Sequence, residues 1–89
     1  MKDFKLEIAQ LLNSKINSLS VEEIYNMIEV PSNTAMGDYA FPCFKLAKIL
    51  RKAPPVIANE LKAKMDTDEL IEKIEIAGGY LNFYIKRFL

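Results

Sequence analysis

The 89-residue sequence has no histidine, no tryptophan and only one cysteine, Cys43. Without histidine, the chain lacks the commonest general base and the commonest metal ligand among protein side chains. One thiol cannot form an internal disulfide, and this cysteine usage fits a reducing compartment, so we predict a cytoplasmic protein. No apolar run approaches the about 20 residues of a membrane span, so we predict that no part of the chain enters a membrane.

An excess of charge of either sign is also missing. The 12 basic and 12 acidic side chains give a formal net charge of zero. A protein that holds nucleic acid mainly by neutralising phosphates needs a basic excess, whereas a module that reads a few bases does not. The sequence contains no glycine-rich phosphate loop and no metal-ligand or catalytic spacing. We therefore expect no catalytic residue, no metal and no cofactor in this chain, and we expect Cys43 to be a core residue.

Local patterns predict helices followed by a hairpin within one domain, residues 1–89. Apolar residues at helical spacing predict a first helix over residues 4–16. A Ser20–Glu23 capping box predicts a second helix that ends at about Met27. The other expected elements are a strand over 28–30, a loop over 32–37, a helix that begins at Phe41-Pro42, a helix that begins at Pro54-Pro55 and a turn or short helical stretch over 66–70.

Two alternating runs joined by Gly78-Gly79 predict a C-terminal β-hairpin. Side chains two residues apart share a face of a strand. The face toward the core would hold Leu81, Phe83 and Ile85, and the opposite face would hold Tyr80, Asn82 and Tyr84. The predicted fold class is therefore α+β, with helices packed on one face of a small antiparallel sheet that ends in the hairpin.

The polar face of this hairpin has two interpretations. Two aromatic rings with an amide between them could stack on a splayed nucleic-acid base and bond its edge. Tyrosine is also an ordinary strand residue, and spacing alone favours a structural role. Similarly, Lys45, Lys48 and Lys52 have a helical spacing that would suit phosphate contact, but a solvated helix face is the commoner outcome.

Two stretches of the sequence resemble the N-terminal domain of arginyl-tRNA synthetases, and the resemblance as a whole covers nearly the entire chain, from the first helix to the hairpin. The first contains Ile28-Glu29-Val30-Pro31, Met36-Gly37-Asp38-Tyr39-Ala40-Phe41-Pro42 and Leu46-Ala47-Lys48. The second is Ala77-Gly78-Gly79-Tyr80-Leu81-Asn82-Phe83-Tyr84. The resemblance implies a domain that lies beside a class I catalytic domain and recognises the D-loop base at position 20 of tRNA-Arg.

The resemblance also implies roles for individual residues. Tyr80 would stack on the base and Asn82 would hydrogen-bond its edge, whereas Ala77 could offer only its backbone. Tyr84 shares their face by strand geometry alone. The lysines at 45, 48 and 52 stay candidates for phosphate contact.

The family's ATP-binding signatures are absent from this sequence. The resemblance therefore implies a fragment, not itself an enzyme, of a longer ATP-dependent ligase. That ligase would use ATP and magnesium, and the partners of this domain would be tRNA-Arg and the catalytic domain of the same chain. The apolar end at Phe88-Leu89 agrees with a cut from a longer protein. The alternative is a protein-interaction or structural module whose hairpin face docks another domain.

Overall fold

The structure, a computed structural model, describes residues 3–65 and 70–86. Its helices are α1 (Phe4–Asn13), α2 (Val21–Met27), α3 (Ala47–Leu50) and α4 (Pro54–Lys64), with short 3-10 helices at Thr34–Met36 and Cys43–Leu46. Its strands are β1 (Tyr39–Pro42), β2 (Ile71–Ala77) and β3 (Tyr80–Ile85). These elements confirm the predicted α+β class. None of the helices in the described ranges is long and apolar enough to cross a membrane.

The three strands form one antiparallel sheet in the order β1-β3-β2. The predicted hairpin of β2 and β3 is confirmed, and Gly78 at its turn has φ +61°. A type II′ hairpin turn requires a positive φ at its first central position, which glycine adopts without steric cost. Because β3 is the central strand, its residues 80–83 have partners in both β1 and β2.

The core lies between the helices and one face of this sheet. Leu81 and Phe83 of β3 have 0% of their surface exposed and point into it, as the alternation predicts. Burying a large apolar side chain contributes about 1.5–3 kcal/mol, so this packing fixes the helices against β3. The helical residues with which β3 shares the core are Ile8 and Leu12 of α1, Ile24 of α2, and Ile57 and Leu61 of α4.

Two helix starts follow the local chemistry of the sequence. The predicted capping box is present, since the Ser20 hydroxyl accepts from the Glu23 amide at 3.1 Å and the Glu23 carboxylate accepts from the Ser20 amide at 3.0 Å. Two orphan amides of α2 are thereby bonded. Helix α4 begins at Pro54, where the missing N–H breaks no helical hydrogen bond.

Two predictions about the middle of the chain are wrong. Phe41-Pro42 does not begin a helix, because it ends strand β1, where Phe41 pairs with Leu81 of β3. Proline is tolerated there because β1 is an edge strand. The expected strand over residues 28–30 is reduced to a single bridge between Glu29 and Ala40. The expected turn or short helical stretch over 66–70 lies outside the described residues except for its last position.

Candidate nucleic-acid interface

The face of the sheet opposite the core carries a row of four residues from adjacent segments. Glu29 bridges Ala40, Ala40 pairs with Asn82, and Asn82 pairs with Glu75. Directly opposed residues of antiparallel strands project to the same face. The alanine is the smallest member of the row, so it leaves a depression between the side chains of Glu29 and Asn82.

A cavity of about 220 Å³ occupies this depression, and we call it the Asn82 slot. Ligand pockets for drug-sized molecules have volumes of about 300–1,000 Å³, so the smaller slot suits one flat heterocycle. Its lining residues are Glu29, Pro31, Ser32, Asn33, Met36, Ala40, Tyr80 and Asn82. The sheet therefore forms the floor of the slot, and the loop over residues 31–37 forms one wall.

Asn82 lies on the predicted face opposite the core, but it is only 3% exposed because the 31–37 loop covers that face. Gly37 approaches so closely that a β-carbon there would lie 3.4 Å from the β-carbon of Asn82. Among the described residues, the side-chain amide of Asn82 makes no hydrogen bond. Every fully buried polar side-chain atom of these residues does have a hydrogen-bond partner. The amide atoms must therefore remain accessible to a molecule in the slot.

Tyr80 is held from two sides at the edge of the slot. Its hydroxyl donates to the Glu29 carboxylate at 3.3 Å. Its ring makes an edge-to-face contact with Phe44, with ring centres 5.3 Å apart and an interplanar angle of 85°. Desolvation and the nearby Glu29 charge raise the pKa of the Tyr80 phenol, so it stays a neutral donor at physiological pH. This arrangement fixes the aromatic side chain beside the Asn82 amide.

Tyr84 has a different position from the other two residues of the predicted face. It does not line the slot. Its hydroxyl donates to the carbonyl oxygen of Ala35 at 2.8 Å, and the Lys73 ammonium lies 4.5 Å from the centre of its ring. Tyr84 therefore holds the 31–37 loop against the sheet and affects the slot only through this loop.

The remaining predicted site residues also lie outside the lining of the slot. Ala77 pairs with Tyr80 at the end of the hairpin. The expected common helix face of Lys45, Lys48 and Lys52 is wrong, because Arg51 adopts φ +55° and ends α3 before position 52. All three lysines are exposed, and the Lys52 ammonium binds the Glu60 carboxylate at 2.7 Å.

Cys43 is buried, as the sequence predicts for a core residue. Burial raises the pKa of its thiol to about 11, so the thiol is protonated at neutral pH. Nucleophilic reactions require the thiolate, so this position is chemically inert. Within residues 3–65 and 70–86, no three His, Cys, Asp or Glu side chains come together as a metal site would require.

Two residues of this region were not singled out by sequence reasoning. Phe44 is 43% exposed, and its ring supports that of Tyr80. Glu29 was placed in a short strand without a role. No local pattern around Glu29 indicates a role in this region, because its place depends on the bridge to Ala40.

The slot combines three chemical features within one small space. Tyr80 provides an aromatic surface, the Asn82 amide provides both a donor and an acceptor, and Glu29 provides acceptors only. A planar ring with polar edges can stack and hydrogen-bond with such a set at the same time. The arrangement suits a nucleobase and offers no cation for a phosphate.

Comparisons with known proteins identify the family that this chain resembles. A family model described as the arginyl tRNA synthetase N terminal domain matches residues 6–85. The chain is 52% identical over 87 residues to the arginine–tRNA ligase of Alkaliphilus metalliredigens and 53% identical over 87 residues to that of Clostridioides difficile. In both cases the match covers 98% of this chain and 15% of the relative, so the chain spans about 15% of their length.

A solved structure of arginyl-tRNA synthetase from Thermus thermophilus is also similar to this fold. The TM-score is 0.67 at 35% sequence identity. The match covers 93% of this chain and 13% of the Thermus chain. The structural similarity thus extends over nearly the same residues as the sequence similarity.

Proposed function

The chain belongs to the arginyl-tRNA synthetase N-terminal domain family, and from this premise we propose that it binds tRNA-Arg by taking one D-loop base into the Asn82 slot. In this role it serves an arginine–tRNA ligase whose other parts perform the reaction. Residues 1–89 are then one recognition domain of that longer protein. Tyr80 stacks on the base, and the Asn82 amide hydrogen-bonds its edge.

The observation that supports this proposal most directly is the amide of Asn82. A side chain that is 3% exposed normally has its polar atoms bonded within the protein. Here the amide makes no hydrogen bond among the described residues, while its atoms stay open to the slot. A ligand with a polar edge would supply the missing bonds, and the adjacent Tyr80 suits a flat one.

Because its net charge is zero, this domain should contribute only a small part of the affinity for tRNA. Phosphate neutralisation provides most of the non-specific affinity for nucleic acid, and this chain contributes little of it. The catalytic domain of the same protein is the proposed partner that supplies the rest. ATP and magnesium are the proposed cosubstrates of the whole ligase, and no residue of this chain is proposed to hold either.

Substitutions in the full-length protein test the proposal. Tyr80→Ala and Asn82→Ala should each lower kcat/KM for arginylation of tRNA-Arg by about 5- to 150-fold, since stacking and base-edge bonds contribute about 1–3 kcal/mol. Asn59→Ala is the control, because the Asn59 amide donates to the Pro55 carbonyl oxygen within α4 and does not line the slot. Efficiencies within twofold of the wild type for both slot variants, with normal folding, would contradict the proposal.

A second candidate function is the docking of another protein domain. Exposed apolar side chains favour it, namely Phe44, Ile49 and Val56, which are 43%, 53% and 46% exposed. An NMR titration of the isotope-labelled chain separates the two candidates. Shifts at residues 80–84 and in the 31–37 loop on adding tRNA support base binding. Shifts only with a protein domain, and none with tRNA, support docking.

A further inference from the structure

Glu29 is the one formally charged residue among the described residues that line the Asn82 slot. Its backbone is fixed to the edge of the sheet, since its amide donates to the Ala40 carbonyl and its carbonyl accepts from the Ala40 amide, both at 2.8 Å. The small side chain of Ala40 then separates the carboxylate from Asn82. The Glu29 carboxylate therefore has a defined place at the rim of the slot, opposite the amide.

The carboxylate can only accept hydrogen bonds when it is ionised. The Tyr80 hydroxyl uses one of its roughly four acceptor positions, and Glu29 is otherwise exposed. The Asn82 amide differs, because it can turn either its donor or its acceptor toward a base. Any discrimination between bases by their hydrogen-bonding groups is thus expected from Glu29 more than from Asn82.

Bases differ in the group that they would present to this acceptor. Adenine and cytosine carry an exocyclic amino group where a uracil ring carries a carbonyl oxygen. An amino group would bond the carboxylate, whereas a carbonyl oxygen would place two acceptors against each other. The first contact is favourable and the second is repulsive, so the carboxylate favours a base with an amino group at this position.

We propose that Glu29 determines the base specificity of the slot by accepting a hydrogen bond from the exocyclic amino group of adenine or cytosine and by excluding uracil. This inference rests on the proposed function of the slot. The same negative charge repels phosphate groups, which favours entry of the base over entry of the backbone.

The test compares tRNA-Arg transcripts with cytosine or uracil at the D-loop position, with the full-length protein. These two rings have the same size, so stacking on Tyr80 is closely matched. The wild type should prefer cytosine in kcat/KM and in tRNA affinity by about tenfold or more, as expected for a hydrogen bond to a charged group. Glu29→Gln should reduce this ratio to within about threefold, because its amide can donate to the carbonyl of uracil.

Glutamine also keeps an oxygen that accepts from the Tyr80 hydroxyl, so Tyr80 should retain its position in this variant. A residue that only positioned Tyr80 would change both transcripts equally and leave the ratio unaltered. Glu75→Gln is the matched control. Glu75 is the neighbour of Asn82 on the other side, it does not line the slot, and its carboxylate binds Lys73 at 3.1 Å. It should leave the ratio unchanged.

The possible results distinguish the role of Glu29 from the proposed function of the slot. A wild-type preference for cytosine that Glu29→Gln abolishes and Glu75→Gln preserves supports the role of Glu29. A wild-type preference that Glu29→Gln leaves intact, or a preference for uracil, overturns that role while base recognition stands. Equal wild-type efficiency with the two transcripts also overturns the role of Glu29, and if Tyr80→Ala has no effect either, the function of the slot itself is overturned.

Discussion

The hydroxyl of Tyr84 donates a 2.8 Å hydrogen bond to the carbonyl oxygen of Ala35. These residues are 49 positions apart in the sequence. The bond joins the central strand β3 to the 3-10 helix of the loop that forms one wall of the Asn82 slot. Tyr84 therefore influences the shape of the slot without lining it. Its substitution should loosen the 31–37 loop more than it changes the contacts with a base.

Tyr84→Phe should lower the free energy of unfolding by about 0.5–1.5 kcal/mol, the usual net value of one neutral hydrogen bond. Urea denaturation measures this change, and hydrogen exchange at the Met36 amide reports loosening of the loop. Tyr39→Phe is the control, since its hydroxyl makes no hydrogen bond among the described residues. Unchanged exchange in Tyr84→Phe would show that the loop is held by other contacts.

Gly37 is required for the close approach of this loop to β3. It adopts φ +97°, and a β-carbon there would lie 3.1 Å from the carbonyl oxygen of Phe83. Gly37→Ala should therefore destabilise the chain by more than the about 1–2 kcal/mol of backbone strain alone. Gly78→Ala provides the comparison, because Gly78 has φ +61° but no atom within 4 Å of such a β-carbon.

Thermal or urea unfolding of the two alanine variants decides this point. The loss should be larger for position 37, and tRNA affinity of the full-length protein should fall only for that variant. Equal losses of stability at positions 37 and 78 would mean that backbone strain alone, and not the contact with Phe83, makes glycine necessary at position 37.

The buried thiol of Cys43 predicts a pH effect on stability. Burial raises its pKa to about 11 in the folded chain, whereas an exposed thiol ionises near pH 8.5. The unfolded chain therefore loses this proton first as pH rises. The stabilising contribution is complete below about pH 8.5 and is lost as pH increases toward 11.

Unfolding measured from pH 8 to 11 should show a smaller decline for Cys43→Ala than for the wild type, since the variant lacks this group. A thiol reagent at pH 8 should label the wild type slowly in buffer and rapidly in urea. Rapid labelling of the folded chain would contradict the buried position of the sulfur.

Local chemistry accounts for the parts of the fold that the sequence predicts well. The Ser20–Glu23 box and the Gly78-Gly79 turn involve residues close in sequence, and both are present as expected. Local patterns predict a helix start at Phe41-Pro42, the end of strand β1, because β3, the pairing partner of this strand, is about forty residues away. Apolar spacing within Phe41–Leu46 could not reveal that partner.

The candidate site also combines features that local sequence determines with features that depend on residues far away in the chain. Alternation places Tyr80 and Asn82 on one face correctly, because that depends on strand geometry alone. The burial of Asn82 depends on Gly37 and the loop that follows Pro31, which no pattern within β3 contains. Glu29 reaches the slot through a single bridge to Ala40, so its place at the rim could be found only in three dimensions.

The central claim is that the slot binds the D-loop base. Its most direct test is a double-mutant cycle that combines Asn82→Ala in the protein with an abasic nucleotide at the D-loop position of tRNA-Arg. Efficiency of arginylation by the full-length protein is measured for all four combinations. If the slot holds that base, each single change lowers kcat/KM by about 5- to 150-fold and the second change adds little. If the two losses instead multiply in full, Asn82 and the D-loop base act independently, and the account is contradicted.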